Sequence, residues 1–370
     1  MFALERAHAP RVARAAVDVT RPDPSVVETE SERIRVATLT SRLSEPWALA
    51  FLPDGDILIT ERAGRLRRFH NDALTEIEGI PPVDTRTQDG LMDIALHPRF
   101  AANQTLYFTY SKNGGERGDT TVLAAAQLEG AKLLGVRDLF VADAWNTNGG
   151  NSGSRIAFGG DGTIYWSVGE RHEQKPAQDL RTDKGKILRL NDDGSIPRDN
   201  PFVERGGARP EIFAYGVRNP QGLFVDPNGT IWEHEHGPRG GDELNIIARG
   251  HNYGFPAITF GINYNGTPIS NETARSGMDQ PVVQWTPSIS PSGLTIYSGS
   301  RFPSWRGNAF LGALSGAHLR RLVIQDGQVT HQEAIGSRQL TKRIRDVRQG
   351  PDGFLYVLTE QGSMLRLEPG

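Results

Sequence analysis

The chain alternates short apolar runs with polar turns, and one arrangement recurs: an apolar strand, a turn holding Asp-Gly or Asn-Gly, and a second apolar strand. It reads WALAFLPDGDILIT from Trp47 to Thr60, RIAFGGDGTIYWSV from Arg155 to Val168, GLFVDPNGTIWEHE from Gly222 to Glu235 and DVRQGPDGFLYVLT from Asp346 to Thr359. Gly and Asn supply the positive-φ positions such turns need, so each copy predicts a β-hairpin. A third strand follows as GRLRRF (Gly64 to Phe69), GKILRL (Gly185 to Leu190) and GSMLRLE (Gly362 to Glu368), and a weaker copy runs from Asp93 to Ser111. Repeated strand-turn-strand-strand units predict an all-β chain folded as a β-propeller; at roughly 50 to 60 residues per blade, about six blades fit. A β-sandwich array or paired barrels is the competing architecture. A propeller gathers loops from several blades around one mouth of a central channel, so polar motifs far apart in sequence can share a site.

Composition agrees with this picture. Among 370 residues there are 42 Gly and 23 Pro with only 37% hydrophobic residues, which suits many short elements joined by tight turns. The net charge of -3 gives no electrostatic reason to expect nucleic acid or an anionic membrane, and no apolar run approaches the roughly 20 residues of a membrane span. Zero cysteines exclude disulfides and thiolate metal sites. Residues 1–32 carry Arg, Pro and Glu throughout and lack the continuous apolar core of a secretory signal, so they read as an N-terminal extension to a propeller over residues 33–370.

Candidate chemistry concentrates between Gly216 and Pro256. Arg218 and Asn219 offer donors to an anionic, carbonyl-rich ligand, and the Gly-rich turn after His236 lets Gly237 and Pro238 present main-chain oxygens to a hard cation such as Ca²⁺. Glu243 and Tyr253 are near enough in sequence to help hold a second cation, although Asp242 and Glu243 equally suit backbone hydrogen bonding in a tight loop. His234 and His236 have the HxH spacing of zinc sites, yet two histidines are not a zinc site. Elsewhere, Gln88 and Asp89 precede Gly90, which permits close backbone approach; the glycine-dense stretch 148–155 singles out Asn151 and Arg155; and Arg343 and Arg345 share one side of a strand, as a polycarboxylated ligand would require.

Taken in order, EPWALAFLPDGDILITER, QDGLMDIALHP, SGSRIAFGGDGTIYWSVGE, AQDLRTDKGKILRLNDDGSIPRDNPF, YGVRNPQGL, EHGPRGGDELN, NYGFP, WTPSISPSG and RIRDV resemble the glucose/sorbosone dehydrogenase family, specifically its soluble aldose sugar dehydrogenases that use pyrroloquinoline quinone (PQQ). The resemblance covers the chain from about Pro46 to Leu367. It implies a six-bladed propeller that oxidises an aldose at the anomeric carbon to the lactone, with PQQ at the channel mouth and an external electron acceptor. It implies cofactor contacts from Gln88, Arg218, Asn219, Tyr264, Arg343 and Arg345, and Ca²⁺ held by the Gly237 and Pro238 carbonyls. A further Ca²⁺ would sit at Glu243 and Tyr253, and a cofactor loop at 314–317 would have Ser315 near the place of a lysine. Asp89 and Trp285 would face the sugar, and Arg218 would also bear on the reacting centre. A periplasmic or secreted location and a monomer or homodimer are implied as well.

One departure from the family pattern bears directly on the chemistry. The family's base is a histidine four residues before the arginine that is Arg155 here, which places Asn151 in its stead, with Ser152 beside it. An amide takes up no proton near neutral pH, and a positioned general base is commonly worth about 10² to 10⁴ in rate. Three explanations stay open: another group, such as His172, Glu170 or Asp89, serves as base; the protein binds PQQ or sugar without efficient oxidation; or a non-redox propeller binds a carbohydrate or catalyses a different reaction at the same mouth.

Overall fold

Strands such as Ile57–Glu61, Ile164–Val168 and Leu355–Thr359 are buried at every residue, because each sheet is covered on both faces by its neighbours. The computed structural model describes residues 24–370. Among them, six small antiparallel sheets form a six-bladed β-propeller. Blades 1 to 5 span residues 46–77, 91–141, 153–215, 220–285 and 291–335. Blade 6 combines Ile344–Gln349, Leu355–Thr359 and Met364–Pro369 with Arg33–Thr40, so the two ends of the described chain are zipped into one sheet. Six hydrophobic clusters each fill one gap between adjacent blades; the last, holding Leu49, Ile59, Tyr356 and Leu358, joins blade 6 to blade 1 and closes the ring.

All four predicted hairpins are present, with Gly55, Gly162, Gly229 and Gly353 supplying positive φ in their turns. The weaker copy is the start of blade 2, where the one-turn helix Phe100–Asn103 replaces a tight turn. Blade 5 carries no such signal because Pro291–Ile296 and Ala309–Ala313 are joined by a long connection containing the 3₁₀ turn Pro303–Trp305. The expected extension needs qualification at its C-terminal end. Ser25–Glu28 pairs with Arg33–Thr40 as a fifth strand of blade 6, so only residues 1–23 of the extension lie outside the described residues.

One local device matters for function. The innermost strand of every blade carries an irregularity at its first residues, where pairing skips from Pro46 to Ala48, Leu91 to Ile94, Gly153 to Ile156, Pro220 to Gly222, Ser292 to Leu294 and Ile344 to Asp346. A bulge bends its strand and re-aims a side chain. Here the skipped residues Trp47, Met92, Gln221 and Arg345 all line the cavity at one mouth of the channel.

Candidate active site

That cavity has a volume of about 750 Å³. Beneath it the channel is blocked by charge. Arg155, only 2% exposed, pairs with Asp346 at 2.9 Å, lies 3.8 Å from Asp93 and stacks over Trp47 at 4.0 Å. It also donates to the carbonyls of Gln221 (2.8 Å) and Arg345 (3.0 Å) and to Ser292 Oγ (3.4 Å). One side chain of blade 3 therefore touches all five other blades. Arg348 completes the plug, donating to Asp93 at 2.7 Å and Asp346 at 3.1 Å, and faces a separate apolar opening beyond it.

The walls are built by buried carboxylates that hold backbone. Glu235 accepts the main-chain N–H groups of Arg218 and Asn219, fixing that corner, while Arg218 Nη1 donates to the His236 carbonyl at 2.7 Å. Asp242 accepts from the N–H groups of Gly237 (2.8 Å), Ile289 (2.8 Å) and Ser290 (2.7 Å), tying the turn after blade 4's second strand to the entry of blade 5. A Cβ on Gly237 would stand 2.1 Å from the Gly240 carbonyl oxygen, so this turn closes only around glycine. On the opposite side, fully buried Arg171 joins Asp89 (3.2 Å) to Asp119 (2.6 Å) and donates to the Gly150 carbonyl (2.8 Å). Asp89 additionally accepts from Gly150 N–H at 2.7 Å and from Ser152 Oγ, which locks the loop that carries Asn151.

The mouth itself is cationic. Arg343 and Arg345 both pair with Glu360, so two guanidiniums share one carboxylate and keep net positive charge facing the cavity, with Arg218 across from them. Such a pocket suits an anionic ligand. The sequence model of the glucose / sorbosone dehydrogenase family matches residues 43–366.

The chain belongs to that family. The aldose sugar dehydrogenase YliI of Escherichia coli is 39% identical over 346 residues, spanning 91% of this chain and 93% of its own. The apo-form crystal structure of the soluble aldose sugar dehydrogenase from Escherichia coli has a TM-score of 0.87 at 38% identity, covering 91% of this chain and 100% of that one. The PQQ-bound aldose sugar dehydrogenase of Streptomyces coelicolor has a TM-score of 0.72 at 28% identity, covering 94% and 99%.

In this glucose/sorbosone dehydrogenase family member, Gln88, Asp89, Asn151, Arg218, Asn219, Tyr264, Arg343 and Arg345 all line the one cavity. Tyr264 is 68% exposed at its rim. Ser315 stands just behind, its hydroxyl donating to the Ser288 carbonyl at 3.1 Å while its neighbours Ser290 and Leu314 reach the cavity. Gly90 does allow close approach, but to the Arg62 carbonyl, 2.0 Å from where its Cβ would be, rather than to a ligand. Trp285 is not in the cavity. It lies on the outermost strand of blade 4, packs with Trp232, Leu294 and Leu311 between blades 4 and 5, and donates its indole N–H to Gln332 at 2.8 Å. Arg155 likewise serves the channel plug and not the pocket. Trp47, Arg62 and Glu360 also line the cavity, although no motif points to them, as does His236 of the HxH pair; Glu360 had a signal, since two arginines on one strand face call for a nearby acid.

The cation candidates divide. Glu243 is buried opposite Glu235, with Glu233 on the same face opposite Asn245, and burial followed by the charge of Glu235 pushes the Glu243 carboxyl well above its ordinary range. Among the described residues no Lys or Arg pairs with Glu233 or Glu243, and Glu233 Oε1 and Asn245 Oδ1 have no hydrogen-bond partner. No group of three or more His, Cys, Asp or Glu side chains among those residues is arranged to hold a metal ion, so any cation here must also use carbonyl oxygens. The Tyr253 hydroxyl is committed elsewhere, donating to the Ile246 carbonyl and accepting from Ala248 N–H, each at 2.7 Å.

The HxH pair is structural. His234 and His236 point to blade 5, where their Nε2 atoms lie 2.9 Å from the Gly293 carbonyl and 2.8 Å from the Pro291 carbonyl. Burial lowers the His234 imidazole from 6.5 to about 3. The unfolded chain thus binds a proton at this residue between pH 6.5 and about 3 that the folded chain refuses, and stability falls as pH drops through that window. About 2 kcal/mol is expected to be lost between about pH 7 and about pH 5. Urea unfolding of His234→Gln, which keeps a donor but does not titrate, should show a shallower acid loss; an identical loss would remove His234 as its source.

Proposed function

We propose that this protein is a PQQ- and Ca²⁺-dependent aldose dehydrogenase that oxidises the anomeric carbon to the lactone. The observation that carries this reading is the convergence of Gln88, Arg218, Asn219, Tyr264, Arg343 and Arg345, spread over more than half the chain, on one polar cavity whose arginines exceed the charge of Glu360. The PQQ-bound state of the Streptomyces coelicolor relative supports the choice of anion.

The donor chemistry fits. Arg343 and Arg345 would pair with carboxylates of the cofactor, Arg218 and Asn219 would donate to its carbonyl oxygens, and Gln88 would fix its edge. The Gly237 turn, closed against the Gly240 and Gly241 carbonyls, would offer one Ca²⁺ oxygen ligands, and the buried Glu243 carboxyl, which burial and Glu235 hold toward its neutral form, would gain a cationic partner if the further Ca²⁺ bound there. When bound, PQQ with Ca²⁺ supplies a two-electron acceptor polarised for hydride. The chain's own part is to orient the sugar above that acceptor, and the plug at Arg155 closes the floor beneath it.

Asn151 at the family's base position favours a second reading, a propeller that binds carbohydrate without redox turnover. Titrating the apoprotein with PQQ in the presence of Ca²⁺, then following reduction of an artificial acceptor across a panel of aldoses, separates the two. Saturable PQQ binding with aldose-dependent reduction is expected. Absence of PQQ binding overturns the dehydrogenase reading, and binding without turnover supports the second.

A further inference from the structure

We infer that His172 has taken over the base function vacated at position 151, with Nδ1 as the proton acceptor and Asn151 and Glu170 as the residues that position it; the inference rests on the dehydrogenase reading above.

The geometry starts at Asn151. Its amide nitrogen lies 2.6 Å from Glu170 Oε1 and 3.3 Å from His172 Nδ1, and both Asn151 and His172 line the cavity beside Arg218 and Asn219. A carboxylate only accepts, so the amide must turn its NH₂ toward Glu170, and its second N–H then points at His172. That makes Nδ1 an acceptor and places the imidazole proton on Nε2. An unprotonated ring nitrogen therefore sits one hydrogen bond from the side chain that replaces the family's histidine. The Asn151 contact is the longer of the two, so a sugar hydroxyl can displace it and donate to Nδ1 in its place.

The backbone is shaped to present this ring. Arg171 and His172 adopt consecutive left-handed conformations, φ 61° and 59°, which non-glycine residues adopt only when their surroundings enforce it. The enforcing contact is the fully buried Arg171 guanidinium between Asp89 and Asp119, which fastens the turn so that the next residue swings outward. Gly150 makes the room. A Cβ there would stand 2.6 Å from His172 Nε2, closer than any real contact.

The other candidates are occupied or withdrawn. Asp89 is saturated by Gly150 N–H, Thr87 Oγ1 (3.1 Å), Ser152 and Arg171; burial raises its pKa, but these partners leave the net shift downward, which weakens it as a base. Glu170 is 1% exposed beneath Asn151 and does not reach the cavity. The groups facing His172 are Glu170 and Asp89, which favour its protonated form, and Arg218 and Arg171, which oppose it; burial is the largest influence and leaves its pKa below 6.5, so the ring is free to accept a proton at neutral pH. In the step assigned to it, the anomeric O–H breaks and its proton passes to Nδ1. When bound, PQQ would accept the C–H electron pair as hydride while the sugar carbonyl forms, so the proton and the electron pair each have a destination. Glu170, next to the amide, stabilises the imidazolium that results.

The test compares wild type with His172→Gln and His172→Ala as the PQQ- and Ca²⁺-loaded proteins, measuring PQQ affinity and the single-turnover rate of cofactor reduction by aldose. Expected are unchanged PQQ affinity, a rate lower by about 10² to 10⁴ in both variants, loss of the acid limb of the pH profile, and partial rescue of His172→Ala by added imidazole. Nitrogen NMR of the apoprotein gives a readout independent of turnover, and should show His172 Nδ1 unprotonated at neutral pH with a midpoint below 6.5. Asn151→His should bring no gain, because it removes the amide that joins Glu170 to His172. A His172→Gln rate within about threefold of wild type, a protonated Nδ1, or a large gain in Asn151→His would each overturn the assignment while intact PQQ binding leaves the parent reading standing. Failure of wild type to bind PQQ overturns the parent reading and this assignment with it.

Discussion

Replacing Arg155 with methionine is expected to lower the unfolding free energy by about 3–5 kcal/mol, the cost of stripping one partner from a buried ion pair. The side chain sits where all six blades meet, and its loss leaves Asp93 and Asp346 sharing the single guanidinium of Arg348 inside a water-poor plug. Methionine fills the volume, so the loss reports charge and hydrogen bonding more than a cavity. Lysine in its place restores one positive charge but neither the stacking on Trp47 nor the forked donation to Gln221 and Arg345, and should recover only part of the loss. Urea unfolding settles the matter through a lower midpoint at unchanged slope. A loss below about 1 kcal/mol would mean that the plug is solvated or redundant.

Changing Arg218 to alanine should weaken PQQ binding by about 30- to 4,000-fold, the range that follows from 2–5 kcal/mol for truncating a buried charged contact at 1.4 kcal/mol per decade. Two effects add. The ligand loses a guanidinium partner, and the His236 carbonyl loses the donor that holds it 2.7 Å away, which loosens the chain leading into Gly237. Glu170 also loses the guanidinium that lies 3.7 Å from it. Calorimetric titration of the apoprotein with PQQ in excess Ca²⁺ reads the affinity directly. Arg218→Lys should fall between, and an unchanged affinity in the alanine variant would restrict Arg218 to bracing His236.

The fold was legible because a propeller is written locally. A hairpin needs only its own residues, and four Asp-Gly or Asn-Gly turns between apolar runs announce four blades. Blade 5 is silent for the same reason: its first two strands meet across a connection with no turn signature. The cofactor-facing residues were legible through ordered family motifs. What stayed hidden was the wiring between motifs. Arg171 looks like an ordinary loop arginine until Asp89 and Asp119, from another blade, close on it. The resemblance implies that Trp285 faces the sugar, and only the interblade packing around Trp232 and Leu294 shows why it does not. The Asn151 substitution was visible at once, but the approach of His172 to it depends on two left-handed residues and one missing Cβ, none of which is a pattern in letters.

The plug has a consequence for traffic. With Arg155, Arg348 and two aspartates filling the axis, the pocket is a cul-de-sac, and the apolar opening on the far side offers no exit from it. In the proposed dehydrogenase, sugar, lactone and electron acceptor must all pass one doorway. The oxidised product has to clear it before the acceptor can come close, so the two half-reactions are forced to alternate in time by the same four side chains that hold the blades together.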